Sequence, residues 1–118
     1  MTTPLYTSLG AVQYVASSAG SLYDNAASTT TYIKGVLLHN ANTTTETFSL
    51  YDVPNSGGSL GTAGATNLII KETLAPDQTK LFEFPGTGIV LTAQHDSLQG
   101  NTTTASKVTC KLFGDKAT

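Results

Sequence analysis

The stretch TTTYIKGVLLHNANTTTETFSLYDV, residues 29–53, decides the fold class. Tyr32, Ile33, Val36, Leu37 and Leu38 form an apolar run rich in β-branched residues. After the polar connection 40–45, Phe48 and Leu50 alternate with Thr47, Ser49 and Tyr51. Such runs read as two strands, either a β-hairpin or a pair facing one another across a sandwich. They supply a core face and carry no chemistry of their own.

The strands continue downstream. Residues 67–74 place Leu68, Ile70 and Leu74 in phase, and Ala75-Pro76-Asp77-Gln78 is a turn, with Pro fixing φ and Asp able to bond its own backbone. Residues 79–84 set Phe82 and Phe84 on one face and Leu81 with Glu83 on the other. Pro85-Gly86-Thr87-Gly88 is a tight connection to a strand at 89–93, in which Ile89, Leu91 and Ala93 are in phase. Residues 94–104 read as a polar loop. Residues 107–113 then alternate cleanly, Val108, Cys110 and Leu112 inward and Lys107, Thr109 and Lys111 to water. One further loop stands out. Residues 54–66 hold four glycines among 13 positions and read as a flexible surface loop. Gly58, Gly61 and Gly64 lack the Lys-Ser/Thr and helix that a phosphate-binding loop needs.

Upstream, residues 1–9 resemble an arm, 11–16 a strand, and 17–28 a small, polar segment broken by Leu22 and Tyr23. The expected organisation is an N-terminal arm with a weakly specified first strand over 1–28 and a body over 29–118. The expected fold is all-β: a single antiparallel β-sandwich, Ig-like or jelly-roll-like, of about six to eight strands. At 118 residues the chain is one domain.

Composition narrows the function. Charged residues are 12% and the net charge is −2, so no basic patch exists to neutralise nucleic-acid phosphates. Threonine fills 21 positions, many in the runs 29–31, 43–45 and 102–104, and gives a stiff, weakly charged surface that is easily desolvated against neighbours. The segment MTTPLYTSLG has neither a basic nor a continuous apolar region, and no run approaches the length of a membrane span. The expectation is synthesis in a cytoplasm, with Asn42-Thr43-Thr44 and Asn101-Thr102-Thr103 acting as Thr-rich turns. A lone cysteine, Cys110, rules out an internal disulfide and reads as a small buried hydrophobe.

Candidate chemistry is sparse. His39 and His95 are the residues whose type suits a general base near neutral pH. A metal set of His39, His95 and Asp96 is conceivable, but no spacing brings them together, and a strand-end histidine bonded to backbone is the simpler reading. Asp24, Glu46, Asp52, Glu72, Asp77, Glu83, Asp96 and Asp115 fall at turns or outward positions and read as solubility residues. No nucleophile elbow, zinc-protease helix or calcium loop occurs, so neither a catalytic residue nor a cofactor or metal is assigned. Tyr14, Tyr23, Tyr32 and Tyr51, with Tyr6 on the arm, could stack on sugar rings, which keeps a glycan-binding module open.

The segment Tyr32-Ile33-Lys34-Gly35-Val36-Leu37-Leu38-His39-Asn40, with Leu50-Tyr51-Asp52-Val53-Pro54 and residues 71–79 (KETLAPDQT), resembles small β-sandwich virion structural proteins of tailed bacteriophages. The shared pattern is a strand ending in His-Asn, a Thr-rich turn, a strand ending in Tyr-x-Val-Pro, a Gly-rich loop and a Leu-x-Pro-x-x-Thr turn, over residues 30–113. The resemblance implies a capsid decoration, or cement, protein without enzymatic activity. It would form homo-oligomers, trimers in the first instance, and bind the major capsid protein on the virion surface. The alternative within that group is a tail, adaptor or fibre-tip component whose loops 55–66 or 94–104 touch the host.

Overall fold

The computed structural model describes residues 7–118. Among them are ten strands: β1 (Thr7–Ser8), β2 (Gln13–Tyr14), β3 (Gly20–Asp24), β4 (Thr30–Asn40), β5 (Glu46–Val53), β6 (Leu68–Leu74), β7 (Thr79–Glu83), β8 (Ile89–Leu91), β9 (Ser97–Thr102) and β10 (Val108–Ala117), with one 3₁₀ turn at Ala65–Asn67. They form two antiparallel sheets. In the six-stranded sheet β10 lies between β4 and the end-to-end pair β1 and β2, while β4 carries β7 and β8 end to end on its other side. The four-stranded sheet runs β3-β9-β5-β6. Counting each end-to-end pair as one position, both sheets are four strands wide and the order is that of a jelly roll. Of the two sandwich types the sequence allows, this is the one adopted.

The strand β4 leaves one sheet and β5 begins the other, so residues 29–53 face one another across the sandwich and do not form a hairpin. Their apolar faces meet in a core that includes Ile33, Val36, Leu38, Phe48, Leu50, Leu74, Leu91, Leu98, Val108, Cys110 and Leu112. The strand count exceeds the expected six to eight because β1, β3 and β9 are added. Leu9, Val15 and Leu22 enter the core from the segment before residue 28, and the main-chain bonds of β1, β2 and β3 make residues 7–24 part of both sheets. Of the arm expected over 1–9, residues 1–6 lie outside the described residues.

The largest departure is β9. Residues 97–102 were expected within a polar loop, yet they form a central strand, paired to β3 on one side and to β5 on the other. Leu98, Gly100 and Thr102 occupy the inward phase. Gly100 keeps this layer thin, since a Cβ there would lie 2.8 Å from Leu22 Cδ1 and 3.3 Å from Phe48 Cε1. On the outer phase, Ser97 and Gln99 are buried because the 54–66 loop folds back over them. Gln99 Nε2 donates to the Gly61 carbonyl (2.9 Å) and to Ser97 Oγ (3.0 Å), so burial leaves these groups bonded. The loop is thus pinned to the sheet, with a main-chain bridge between Ser56 and Ser59 at its tip.

A bulge shapes β4. Gly35 is level with Phe113 of β10, but Ile33 is level with Gly114, which leaves Lys34 as the extra residue. The bulge switches the alternation. Thr31 and Ile33 point inward before it, and Val36, Leu38 and Asn40 after it, so Tyr32 and Leu37 of the apolar run lie on the outer face. On the other flank of the bulge β7 ends and β8 begins, and Phe84 N donates to the Lys34 carbonyl (3.0 Å).

Candidate interaction surface

The two outer faces differ. That of the four-stranded sheet presents Thr47, Tyr51 and Asn101, with Leu68 and Ile69 exposed on its edge strand β6, and is partly covered by the 54–66 loop. That of the six-stranded sheet mixes apolar and polar side chains, and among the described residues no loop overlies it. Register sets its side chains in rows across the strands: Tyr14, Thr109, His39 and Thr79; then Lys111, Leu37 and Leu81; then Phe113, Gly35 and Glu83; then Asp115, Tyr32 and Val90. Val12 flanks the second row. Val12, Tyr14, Leu81 and Val90, spread over this face, are 57%, 60%, 51% and 38% exposed.

Gly35 makes the face concave. With no side chain at the middle of the third row, a depression of about 260 Å³ opens between Leu81, Glu83 and Phe113. A second, of about 110 Å³, lies beside Val12, Leu37, His39, Thr79, Thr109 and Lys111. At the margin Lys34 pairs with Asp115 (3.2 Å), and Lys111 lies 5.9 Å from the centre of the Phe113 ring. The chemistry of the face is therefore apolar contact framed by both signs of charge.

The candidate metal residues are not brought together. His39 Nδ1 is 2.8 Å from Thr79 Oγ1, a side-chain partner where a backbone one was expected. His95 follows β8, whose Leu91 is level with Thr31, so the two histidines lie near opposite ends of β4, roughly 25 Å apart. His95 Nδ1 meets Asp24 (2.9 Å), not Asp96. Among the described residues no group of three or more His, Cys, Asp or Glu is placed to hold a metal. Cys110 is fully buried, which pushes its thiol up to about 12. The tyrosines also disperse. Tyr14 and Tyr32 share the outer face in different rows, Tyr23 packs on the core beneath Lys116, and Tyr51 is on the other sheet.

Two carboxylates tie loops and not substrates. Asp96 Oδ1 accepts from Asn55 N and Nδ2 (both 2.9 Å), and its Oδ2 accepts from Ala93 N (2.9 Å). Glu46, 1% exposed, accepts from Thr104 N (2.8 Å) and Asn42 Nδ2 (2.9 Å), joining the turns at either end of the neighbouring strands. Burial acts to raise both carboxyls, but the Asn55 and Ala93 donors on Asp96, and the Thr104 and Asn42 donors on Glu46, outweigh it and hold both below their ordinary values. Asp52 is raised, by burial first and by the Asp96 charge second.

The signs fix an acid response. A depressed carboxyl adds stability that is present above its unfolded value and lost as pH falls through its folded one. Glu46 and Asp96 therefore weaken the fold below about pH 4.5 and 3.8, their ordinary values. Asp52 works the other way, favouring the fold when protonated. Glu46→Gln, which keeps an acceptor for Thr104 N but sets an amide against Asn42, is expected to lower stability at pH 7 and to flatten the loss on acidification. Urea midpoints from pH 7 to pH 3 check this, and an unchanged acid slope in the variant would refute it.

The alternation put Leu81 and Glu83 on the face opposite Phe82 and Phe113 at the strand end; it lacked the register that sets Leu81 level with Leu37 and Phe113 level with Gly35. No protein-family model, curated protein or solved structure matches this chain.

Proposed function

We propose that this chain is a non-enzymatic structural protein of a tailed-phage virion: a capsid decoration protein, made in the host cytoplasm, that self-associates and binds the assembled lattice of the major capsid protein. The exposed Val12, Tyr14, Leu81 and Val90 on the outer face of the six-stranded sheet carry the reading, because exposed apolar groups of that size suit contact with a protein surface. The Tyr-x-Val-Pro and Leu-x-Pro-x-x-Thr pattern supports it from the sequence. Jelly-roll domains recur in viral capsids, which supports it by analogy of fold. Such a protein acts by mass action: whatever binds the assembled shell in preference to its free subunits stabilises the shell, and many modest contacts add through avidity.

The same fold recurs in sugar-binding domains, and Tyr14, the most exposed ring on the face, favours a glycan-binding module as the second reading. Copy number decides. Quantitative mass spectrometry of purified particles is expected to give one copy per shell subunit or a fixed simple fraction of it. A handful of copies per particle would move the chain to a tail, adaptor or fibre tip. Absence from particles would overturn the virion reading and leave the glycan one, which sugar binding by the isolated domain then tests.

A further inference from the structure

We infer that the ion pair between Lys80 and Glu72 keeps one side of the sandwich closed to strand addition, so that the neighbouring edges of β6 and β7 do not pair with a second copy of this chain. This side of the molecule is then excluded from self-association whatever partner the outer faces take, which goes beyond the function proposed above.

β6 is the end strand of the four-stranded sheet and β7 an end strand of the six-stranded one. The turn 75–78 joins them, so two strand edges lie together on one side of the molecule. β1, the first described strand, is at the opposite edge of the six-stranded sheet. Among the described residues β6 pairs with β5 and β7 with β4, and neither has a strand on its other flank. Such an edge offers main-chain N–H and C=O groups to any extended chain. β6 opens on Leu68-Ile69-Ile70, and the first two are exposed, so its apolar start invites pairing.

The placement of charge opposes it. Glu72 is level with Phe48 and Lys80 with Leu38, both fully buried, so each charged side chain stands in the inward phase of its strand. Its inward neighbours are apolar, Ile70 and Leu74 on β6 and Phe82 on β7. Lys80 Nζ meets Glu72 Oε1 at 2.7 Å, and each side chain is about a third exposed. The pair thus spans the gap between the sheets and still reaches water. A strand added to either edge would turn that edge into an interior strand and take this water away, and a desolvated pair costs more than its attraction returns unless new hydrogen bonds replace the lost ones.

The backbone of β6 acts in the same sense. Leu50 is level with Ile70 and Tyr51 with Leu68, which leaves Ile69 as the extra residue of a bulge. The added twist interrupts the run against which a new strand would align. Inward charges and bulges both keep an edge unpaired. Here they share one strand, and the charge is matched from the other sheet.

The test replaces the pair by Glu72→Val with Lys80→Val, and in a second chain reverses it by Glu72→Lys with Lys80→Glu; circular dichroism checks that both fold. Sedimentation velocity over a concentration series gives self-association, and amide hydrogen exchange read by mass spectrometry gives its location. The valine chain is expected to associate at least about tenfold more tightly than the parent, with new protection over 68–74 and 79–83, while the reversed pair behaves as the parent does. Where valine prevents folding, Glu72→Gln with Lys80→Met carries the same test, since it removes both charges and keeps the side-chain lengths. Association no stronger than the parent's would overturn the inference. So would stronger association without new protection in those two segments, or a reversed pair that associates as the uncharged chain does. Copy number in particles is measured separately and bears only on the function proposed above.

Discussion

Replacing Gly114 by alanine is expected to destabilise the fold by at least about 3 kcal/mol. Gly114 stands opposite Ile33 just past the bulge in β4, where the Tyr32 carbonyl turns toward β10. A Cβ at Gly114 would collide with that carbonyl oxygen, lie 2.9 Å from its carbon, and press to 3.0 Å on Leu9 Cδ1. Neither obstacle is the free end of a mobile side chain. The oxygen belongs to the backbone of a central strand, and Leu9 is in the core. Relief requires β10 to move away from β4, which opens the pairing on which the six-stranded sheet depends.

Gly35 is the internal control. It lies on the same bulge, but a Cβ there meets the Phe82 carbonyl oxygen at 3.6 Å and Phe113 at 3.8 Å, ordinary contacts. Gly35→Ala is therefore expected to stay within about 1 kcal/mol of the parent. Urea denaturation of the two variants side by side makes the comparison; equal losses at both sites would mean that close approach at Gly114 is not what governs the bulge.

The second large effect is at Asn40. Its side chain is fully buried at the end of β4, with Nδ2 within hydrogen-bond range of the carbonyls of Thr44 (3.1 Å), Leu74 (3.0 Å) and Ala75 (3.2 Å), while Oδ1 accepts from Asn42 N (2.9 Å). One amide thus joins the end of β4, the turn after it and the end of β6 in the opposite sheet. Asn40→Leu keeps the volume and removes every partner. An orphaned buried group costs about 1–3 kcal/mol, and more than one is left, so a loss of about 3–4 kcal/mol is expected. Asn40→Asp is expected to be worse at pH 7, because a carboxylate would face carbonyl oxygens, and to recover relative to Asn40→Leu as pH falls and the acid regains a proton to donate. Thermal midpoints at pH 7 and pH 5 check both statements; a Leu variant as stable as the parent would show that the two sheets need no polar link here.

Asn25 has the corresponding place at the other end of β4. It donates to the carbonyls of Thr29 (2.7 Å) and Ala93 (3.0 Å) and accepts from the Thr31 hydroxyl (2.6 Å). Neither asparagine is distinguishable in the sequence from the many in turns, because what singles them out is burial among carbonyls from distant segments. The strands β4, β5, β6, β7, β8 and β10 were legible, since each alternates apolar and polar residues over enough positions to show its period. β9 was not. Part of its outward face is hidden by a loop, so Ser97 and Gln99 are polar without facing water, and Gly100 is chosen for thinness and not for a turn. β1, two residues long, is too short for any period, and β2 is the paired part of the run read as a strand over 11–16; β10 offers both an edge.

The interaction face was half legible. Alternation had already put Leu81 and Glu83 on the side away from Phe82, and Lys111 away from Cys110. The bulge at Lys34 was invisible, and with it the reason why Leu37 belongs outside while Val36 and Leu38 belong within. Gly35 looked like a weak spot in a strand, and its use is to hollow a surface.

The place of β10 has a consequence for biosynthesis. It pairs with β4, made some seventy residues earlier, and with β1 and β2, made about a hundred residues earlier. Until the ribosome has released residue 117, β4 has one flank unpaired and β1 and β2 have no partner at all. The nascent chain must carry exposed strand edges until β10 is made, and folding that closes such long-range pairings is slow. The low apolar content of the stretches between strands, and the threonines that fill them, then protect the unfinished chain from its neighbours on the same message.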